Sequence, residues 1–363
     1  MNHLEACVVL NMIPSMGPVR LRRLMDAFGT AEKILLARTD QLTAVDGIGR
    51  ETADNISRWE EFADPAVEME KARGLSARII TAEDEEYPAA LREIHDPPIV
   101  LYVRGQITGR DRNAVAVVGS RRASHYATEC AKKLSFQMAY SGLTIVSGLA
   151  RGIDSAAHQG ALAAKGRTLA VIGSGLGHIY PPENADLADR IAANGAVISE
   201  FPIDTKPDRQ TFPIRNRVVT GCSFGVLVVE AGANSGALIS ANQAAEQGRT
   251  LYAVPGRIDH PNCLGSNRLI QQGAKLVVSV EDILDDLPLV FSRQPELPAA
   301  APAADLTADQ EKILEALGPD ETGLDTIIAT SGLPASVVSS TLLALEIRRL
   351  VKQLPGKRFV KLI

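Results

Sequence analysis

The stretch "VAVVGSRRAS", residues 115–124, runs an unbroken apolar segment straight into a glycine and two arginines. Valine and alanine without polar alternation mark a strand covered on both faces, as in a parallel sheet. A strand that ends in Gly-Ser-Arg-Arg ahead of a helix brings free backbone N–H groups and two cations to one edge. The unit is built to hold an anion. That anion is a nucleotide cofactor, a small phosphorylated substrate or a nucleic-acid backbone.

The same pattern continues through "LTIVSG" (143–148), "RTLAVIGSG" (167–175), "AVISEF" (196–201), "FGVLVVEAG" (224–232), "RTLYAVPG" (249–256) and "AKLVVS" (274–279). Between these runs, 125–140, 154–165, 185–194 and 237–247 carry Ala and Leu at helical spacing. Residues 76–287 therefore predict an α/β domain: an extended Rossmann-like, doubly wound, mainly parallel sheet with more than six strands.

Residues 1–75 read as short helices joined by glycine turns, a small helical domain of the helix-hairpin-helix or SAM-like kind. "LNMIPSMGPVRLRRLM" (10–25) and "LTAVDGIGRETADNI" (42–56) resemble each other, with Gly17 and Gly49 32 residues apart, which suggests an internal duplication. The second copy is similar to a hairpin whose turn offers N–H groups to a phosphate. Asp46, Glu51 and Asp54 crowd that turn with negative charge and favour a packing module instead. Residues 288–304, "PLVFSRQPELPAAAPAA", form a Pro/Ala-rich linker. Residues 305–363 then read as three helices and a hairpin, the order of a winged helix.

Composition narrows the partners. Aromatics make up 4% of the 363 residues, which disfavours all-β architectures and any nucleic-acid mode built mainly on stacking, and with a net charge of −5 a polyanion partner would need locally concentrated basic residues. Six basic residues against one acidic in 346–363, opposite seven acidic against one basic in 305–325, give the winged helix such a polarity. Its second long helix, "ASVVSSTLLALEI", offers small and apolar side chains, which favours protein docking or non-specific contact over base readout. Cys7, Cys130, Cys222 and Cys263 are scattered, with no CxxC pair and no histidine pattern read beside them. Disulfides and a metal site are not expected, and a reducing cytoplasm is. No signal segment or long apolar run is read, so no membrane insertion is expected.

Candidate binding residues fall where strands end. The first loop supplies Gly119, Ser120, Arg121 and Ser124; "SGLARGID" (147–154) supplies Gly148, Arg151 and Gly152; "GSGLGHIYPPEN" (173–184) supplies Gly173, Ser174 and Gly175. "TFPIRNRVVTG" (211–221) adds Phe212, Arg215, Asn216 and Arg217, and "EAGANSGA" (230–237) adds Gly232, Ser235 and Gly236. Spacing of two at a helix start is expected to expose at least one of Arg215 and Arg217. Asp154 reads as a helix N-cap or as an ion-pair partner of Arg151, and Glu230 as ordering the loop that follows it. No GxxxxGK[ST] occurs, and the glycines at 173, 175 and 177 do not make GxGxxG, so no nucleotide cofactor is expected.

Taken together and in order, "VVGSRRAS", "SGLARGIDSAAH", "VIGSGLGHIYPPEN", "FPIRNRVVTG", "VVEAGANSGALISA" and "VPG…GSNRLIQQGA" resemble the DNA-processing protein A family, DprA or Smf, along the whole chain. The resemblance implies a non-enzymatic protein that binds single-stranded DNA in a basic pocket, dimerises through its Rossmann-like domain and passes the strand to the RecA recombinase in natural transformation. It implies a pocket role for Arg121, for Gly148, Arg151 and Gly152, and for Arg215, Asn216 and Arg217. Some relatives carry a lysine after Tyr-Pro; here Glu183 stands in that segment. The alternative is a nucleotide hydrolase of the similar LOG type. Its chemistry needs a carboxylate where "NSGALISAN" offers Ser240 and Ala241.

Overall fold

Alternate residues of the central strand β3 (Ala114–Val118) face two different cores, and the rest of the fold follows from that. Val115 and Val117 pack with Ala127, Ala131 and Ile153, whereas Ala114, Ala116 and Val118 pack with Val218, Ala237 and Ala241. A side-chain period of two thus buries both faces of one strand. The computed structural model describes residues 1–286, 306–317, 322–347, 350–354 and 358–361. They belong to two compact units, 1–287 and 288–363.

The first unit holds a nine-stranded sheet in the order β1-β2-β6-β5-β4-β3-β7-β8-β9. Here β1 is Ala77–Thr81, β2 Val100–Gly105, β4 Thr144–Ser147, β5 Thr168–Val171, β6 Ala196–Ser199, β7 Gly225–Val228, β8 Thr250–Ala253 and β9 Lys275–Leu276. From β6 through β9 in spatial order every pairing is parallel, with Val115 of β3 opposite both Ile145 and Gly225. β1 and β2 extend the sheet in antiparallel fashion beyond β6.

Six helices precede the sheet: α1 (His3–Met12), α2 (Pro18–Phe28), α3 (Ala31–Leu36), α4 (Thr39–Thr43), α5 (Arg50–Ser57) and α6 (Pro65–Gly74). α1 is capped by Asn2, whose side chain accepts from Glu5 N while the Glu5 carboxylate accepts from Asn2 N. Its residues Ala6 to Leu10 are all buried, as expected of a helix apolar on every side. The helices do not form a separate core. Leu10, Leu24 and Ile56 belong to the same cluster as Val100, Tyr102, Ala170 and Val197 of the sheet.

The two hairpins match in backbone as well as in sequence. Ser15 (φ 63°) and Gly47 (φ 79°) take the same left-handed conformation, and Gly17 and Gly49 cap α2 and α5. Arg23 closes over the second turn, its Nη1 donating to Asp46 O and Oδ2, each at 2.9 Å.

Further helices connect the strands: α7 (Ala89–Arg92), α8 (His125–Tyr140), α9 (Ile153–Ala163), α10 (Ala185–Asn194), α11 (Thr211–Gly221), α12 (Gly236–Glu246) and α13 (Leu264–Gln271), and α14 (Glu281–Leu284) follows β9. α8 and α9 cover one face, and α11 and α12 the other.

The second unit has α15 (Ala308–Ala316), α16 (Leu324–Ser331), α17 (Ala335–Ile347) and a three-stranded sheet. Thr307 caps α15 in a box with Gln310, and Ile313, Ile327, Val338, Leu342 and Phe359 form the core. Strands β11 (Val351–Leu354) and β12 (Arg358–Lys361) make the expected hairpin, and β10 (Thr322–Gly323) joins β12. The 288–304 linker, and Arg348, Arg349 and Lys357 of the basic cluster, lie outside the described residues. Among the described residues no single helix is long and apolar enough to cross a membrane.

Candidate functional site

The loops after β3, β4 and β5 meet at the C-terminal edge of the sheet, and the start of α11 returns across them. Arg121, Gly148, Ala150, Arg151, Gly173, Phe212 and Arg215 line, with Tyr180 and Pro181, a small, partly open cleft.

Glu230 holds the first loop at both ends. Ser120 N donates to Glu230 O at 2.8 Å, and Ser124 donates to the carboxylate from its backbone N (3.1 Å) and its hydroxyl (2.6 Å). Ser124 in turn caps α8 by accepting from Ala127 N. Glu230 thus orders the Gly-Ser-Arg-Arg loop rather than the loop that follows it in sequence. Arg121 is left exposed, its guanidinium carbon 4.9 Å from the centre of the Phe212 ring. The Tyr180 ring lies 5.8 Å from the same ring, tilted by 37°.

The second loop packs on the first. Gly152 (φ 76°) lies against the Ser120 carbonyl, and Ile153 N donates to that oxygen at 3.2 Å. Gly148 has no room for a side chain: a Cβ there would stand 2.6 Å from both the Arg215 guanidinium carbon and Asp154 Oδ2. Asp154 is no N-cap, because Gly152 occupies that position. Its buried Oδ2 accepts from Gly148 N (3.1 Å) and Ala150 N (3.3 Å), fixing the loop from beneath. Burial pushes its carboxyl above the usual range, while Arg215 and the backbone donors pull it down.

Arg215 lies under the cleft rather than on its rim. It is 3% exposed and donates to the Val171 carbonyl, and burial lowers its pKa to about 10 with Asp154 opposing. It stays charged at neutral pH and sets a positive floor. Beside it, burial and Arg215 push the His158 pKa down to about 3, so that ring is neutral; it pairs with Thr168 Oγ1 at 2.7 Å.

Arg217 is not at the site. It is 5% exposed and ion-paired with Asp96 (3.2 Å) and Glu200, tying α11 to the segments flanking β2 and β6. At 100° per residue, two positions along a helix turn side chains to nearly opposite sides. With α11 packed against both α12 and the sheet, both arginines become buried, against the expectation that one would be exposed. Asn216 is half-buried and does not line the cleft.

Arg151 pairs not with Asp154 but with Glu183, Nε to Oε1 at 2.5 Å, across the cleft mouth. Asn184 next to it donates to Leu149 O (2.8 Å) and Ser155 Oγ (2.9 Å), locking the third loop to the second. Of the third loop's candidates, only Gly173 lines the cleft, where a Cβ would stand 2.7 Å from the Phe212 ring. Ser174 is buried and donates to His178 O, and Gly175 packs under the Pro202 and Ile203 carbonyls. Gly232, Ser235 and Gly236 stand apart from the cleft. Ser235 caps α12, and Gly232 faces the 261–262 turn. Tyr180 and Pro181 line the cleft without being among the residues expected from the sequence. A tyrosine beside two prolines, on a loop already full of glycines, was the available signal.

Comparison with known proteins places the whole chain. The family model described as DNA recombination-mediator protein A matches residues 78–288, a DprA winged helix domain matches 297–357, and a SAM-like helix-hairpin-helix tandem matches 9–58. Protein Smf of Synechocystis is 36% identical over 383 aligned positions, covering 96% of each chain. The X-ray structure of DNA processing protein A from Streptococcus pneumoniae superposes with a TM-score of 0.70 at 33% identity, covering 79% of this chain and 98% of that one. DNA processing protein A from Helicobacter pylori, solved for its single-stranded DNA binding mode, gives a TM-score of 0.52 at 31% identity over 57% of this chain and 94% of the other. With three domain models in the expected order and a relative matched nearly end to end, the chain belongs to the DNA recombination-mediator protein A family, the DprA/Smf proteins.

Proposed function

We propose that this chain binds single-stranded DNA in the cleft over β3–β5 and acts as a recombination mediator, passing the strand to a RecA-type recombinase during natural transformation. The observation that carries the reading is Arg121 seated on the Phe212 ring above the buried Arg215. A cation on the rim takes a phosphate, and an aromatic pair beside it suits a base that an unpaired strand can turn outward. A duplex presents neither a flexible backbone nor a free base face. Family membership supports the DNA-processing role, and the Helicobacter relative supports the single-stranded substrate.

The protein is proposed to act without catalysis. Asp154 is committed to two backbone N–H groups and Glu230 to Ser124, so neither is free to move a proton in the cleft. Dimerisation through the α/β unit belongs to the same proposal.

The test is affinity for single-stranded and blunt duplex oligonucleotides across a salt series. Single strands should bind more tightly, with a slope of about −2 to −4 in log K against log salt, at roughly −0.7 per neutralised phosphate. Arg121→Ala should weaken binding by about 1.5–3 kcal/mol with an unchanged melting temperature. Equal affinity for both DNA forms sinks the reading. Turnover of AMP, ATP or DNA that is lost in Asp154→Asn would move the chain to the hydrolase alternative.

A further inference from the structure

A second cluster of chemistry-bearing side chains lies one loop away from the cleft. Glu230 stands just beyond the end of β7, and His260 and Cys263 lie in the turn before α13; one donor atom from each lies within 4.8 Å of the other two. No metal site is expected from the sequence, where the cysteines are scattered without a CxxC pair. Yet His260 precedes Cys263 by three positions, and the third member is 30 residues earlier, brought alongside by the sheet.

The carriers are held independently of any ion. Gly265 N and Ser266 N donate to Ala231 O at 2.7 and 3.2 Å, pinning the turn to the residue after Glu230. Asn267 grips Gly256 through both its N–H and its carbonyl, each at 3.0 Å. Gly256 makes room for the thiol: a Cβ there would meet Cys263 Sγ and stand 2.6 Å from Cys263 Cβ. Glu230 is 2% exposed and its carboxylate is oriented by Ser124, the kind of support that fixes a ligand's direction. His260 Nδ1 is buried with no hydrogen-bond partner, a polar atom that water does not reach and the protein does not satisfy.

We propose that Glu230, His260 and Cys263 form a binding site for one zinc-class divalent cation, with a fourth position left for water. A thiolate, an imidazole and a carboxylate are the donor set that Zn²⁺ selects, whereas hard cations avoid sulfur. The ion would join the 256–266 segment to the same carboxylate that anchors the Gly-Ser-Arg-Arg loop.

The experiment titrates metal-free full-length protein with Co²⁺, followed by displacement with Zn²⁺. One equivalent should bind and give a thiolate-to-cobalt charge-transfer band that Zn²⁺ removes. Cys263→Ser should abolish the band, Cys130→Ser should keep it, and His260→Ala should weaken Zn²⁺ affinity about tenfold or more. Thermal melts of each variant establish that it is folded. Absence of the band from the parent protein overturns the proposal. So does a band that survives Cys263→Ser, or Zn²⁺ affinity unchanged in folded His260→Ala.

Discussion

Arg151 reaches the cleft mouth already partnered. Its guanidinium and the Glu183 carboxylate are each about half exposed, and each holds the other's charged form more firmly than usual. A phosphate arriving at Arg151 must displace that carboxylate, so Glu183 competes with the ligand. Removing the charge should therefore help binding. Glu183→Gln is expected to raise single-strand affinity about two- to five-fold, as fits loss of an exposed pair, and to steepen the salt slope by about 0.7. Fluorescence anisotropy at several salt concentrations reads both quantities. A weaker complex would mean that Glu183 positions Arg151 rather than blocks it.

At the scale of elements, the floor of the cleft is a contact between two helices and one glycine. Asp154 of α9 and Arg215 of α11 close on Gly148, where the missing side chain lets both groups approach the loop. Gly148→Ala should cost about 1–3 kcal/mol of stability through overpacking and at least about tenfold in DNA affinity through a displaced Arg215. Chemical denaturation and anisotropy check the two parts, and a variant with parental values for both would remove Gly148 from the site. The parallel strands were legible because burial on both faces leaves an unbroken apolar run such as Val115–Val118. β2 carries the same signal in "IVLYV" (99–103), but its antiparallel pairing with β1 and β6 follows from packing rather than from local pattern. Arg121 was legible since it follows a strand directly. Arg217 was misplaced because the direction in which α11 crosses the sheet edge decides which flank of that helix meets the cleft.

For the whole molecule, the two ends of the chain should respond differently to removal. The winged helix has its own core around Ile313, Ile327 and Leu342, so deleting residues 288–363 should leave the melting temperature of the remainder nearly unchanged and single-strand affinity within about threefold. Deleting residues 1–75 should instead strip cover from Val100, Tyr102, Ala170 and Val197 and give an aggregating or non-cooperatively melting product. Differential scanning calorimetry distinguishes the two; a cooperative melt from the second truncation would make the helices a separate domain after all.

The helices also reach the segment that leads into α11. Glu68 Oε1 accepts from Ile203 N at 2.7 Å, Asn11 Nδ2 donates to Glu200 O at 2.9 Å, and Lys71 meets Asp204 at 2.6 Å. The same short segment supports the third glycine loop, with Gly175 N donating to Thr205 O, before the chain turns into the helix that carries Phe212. Helices α1 and α6 and the cleft thus rest on one shared segment, 200–205. If the cleft takes a strand as proposed, ordering of this shared segment on binding should slow amide hydrogen exchange in α1 and α6 as well as around the cleft, and unchanged exchange in both helices would uncouple them.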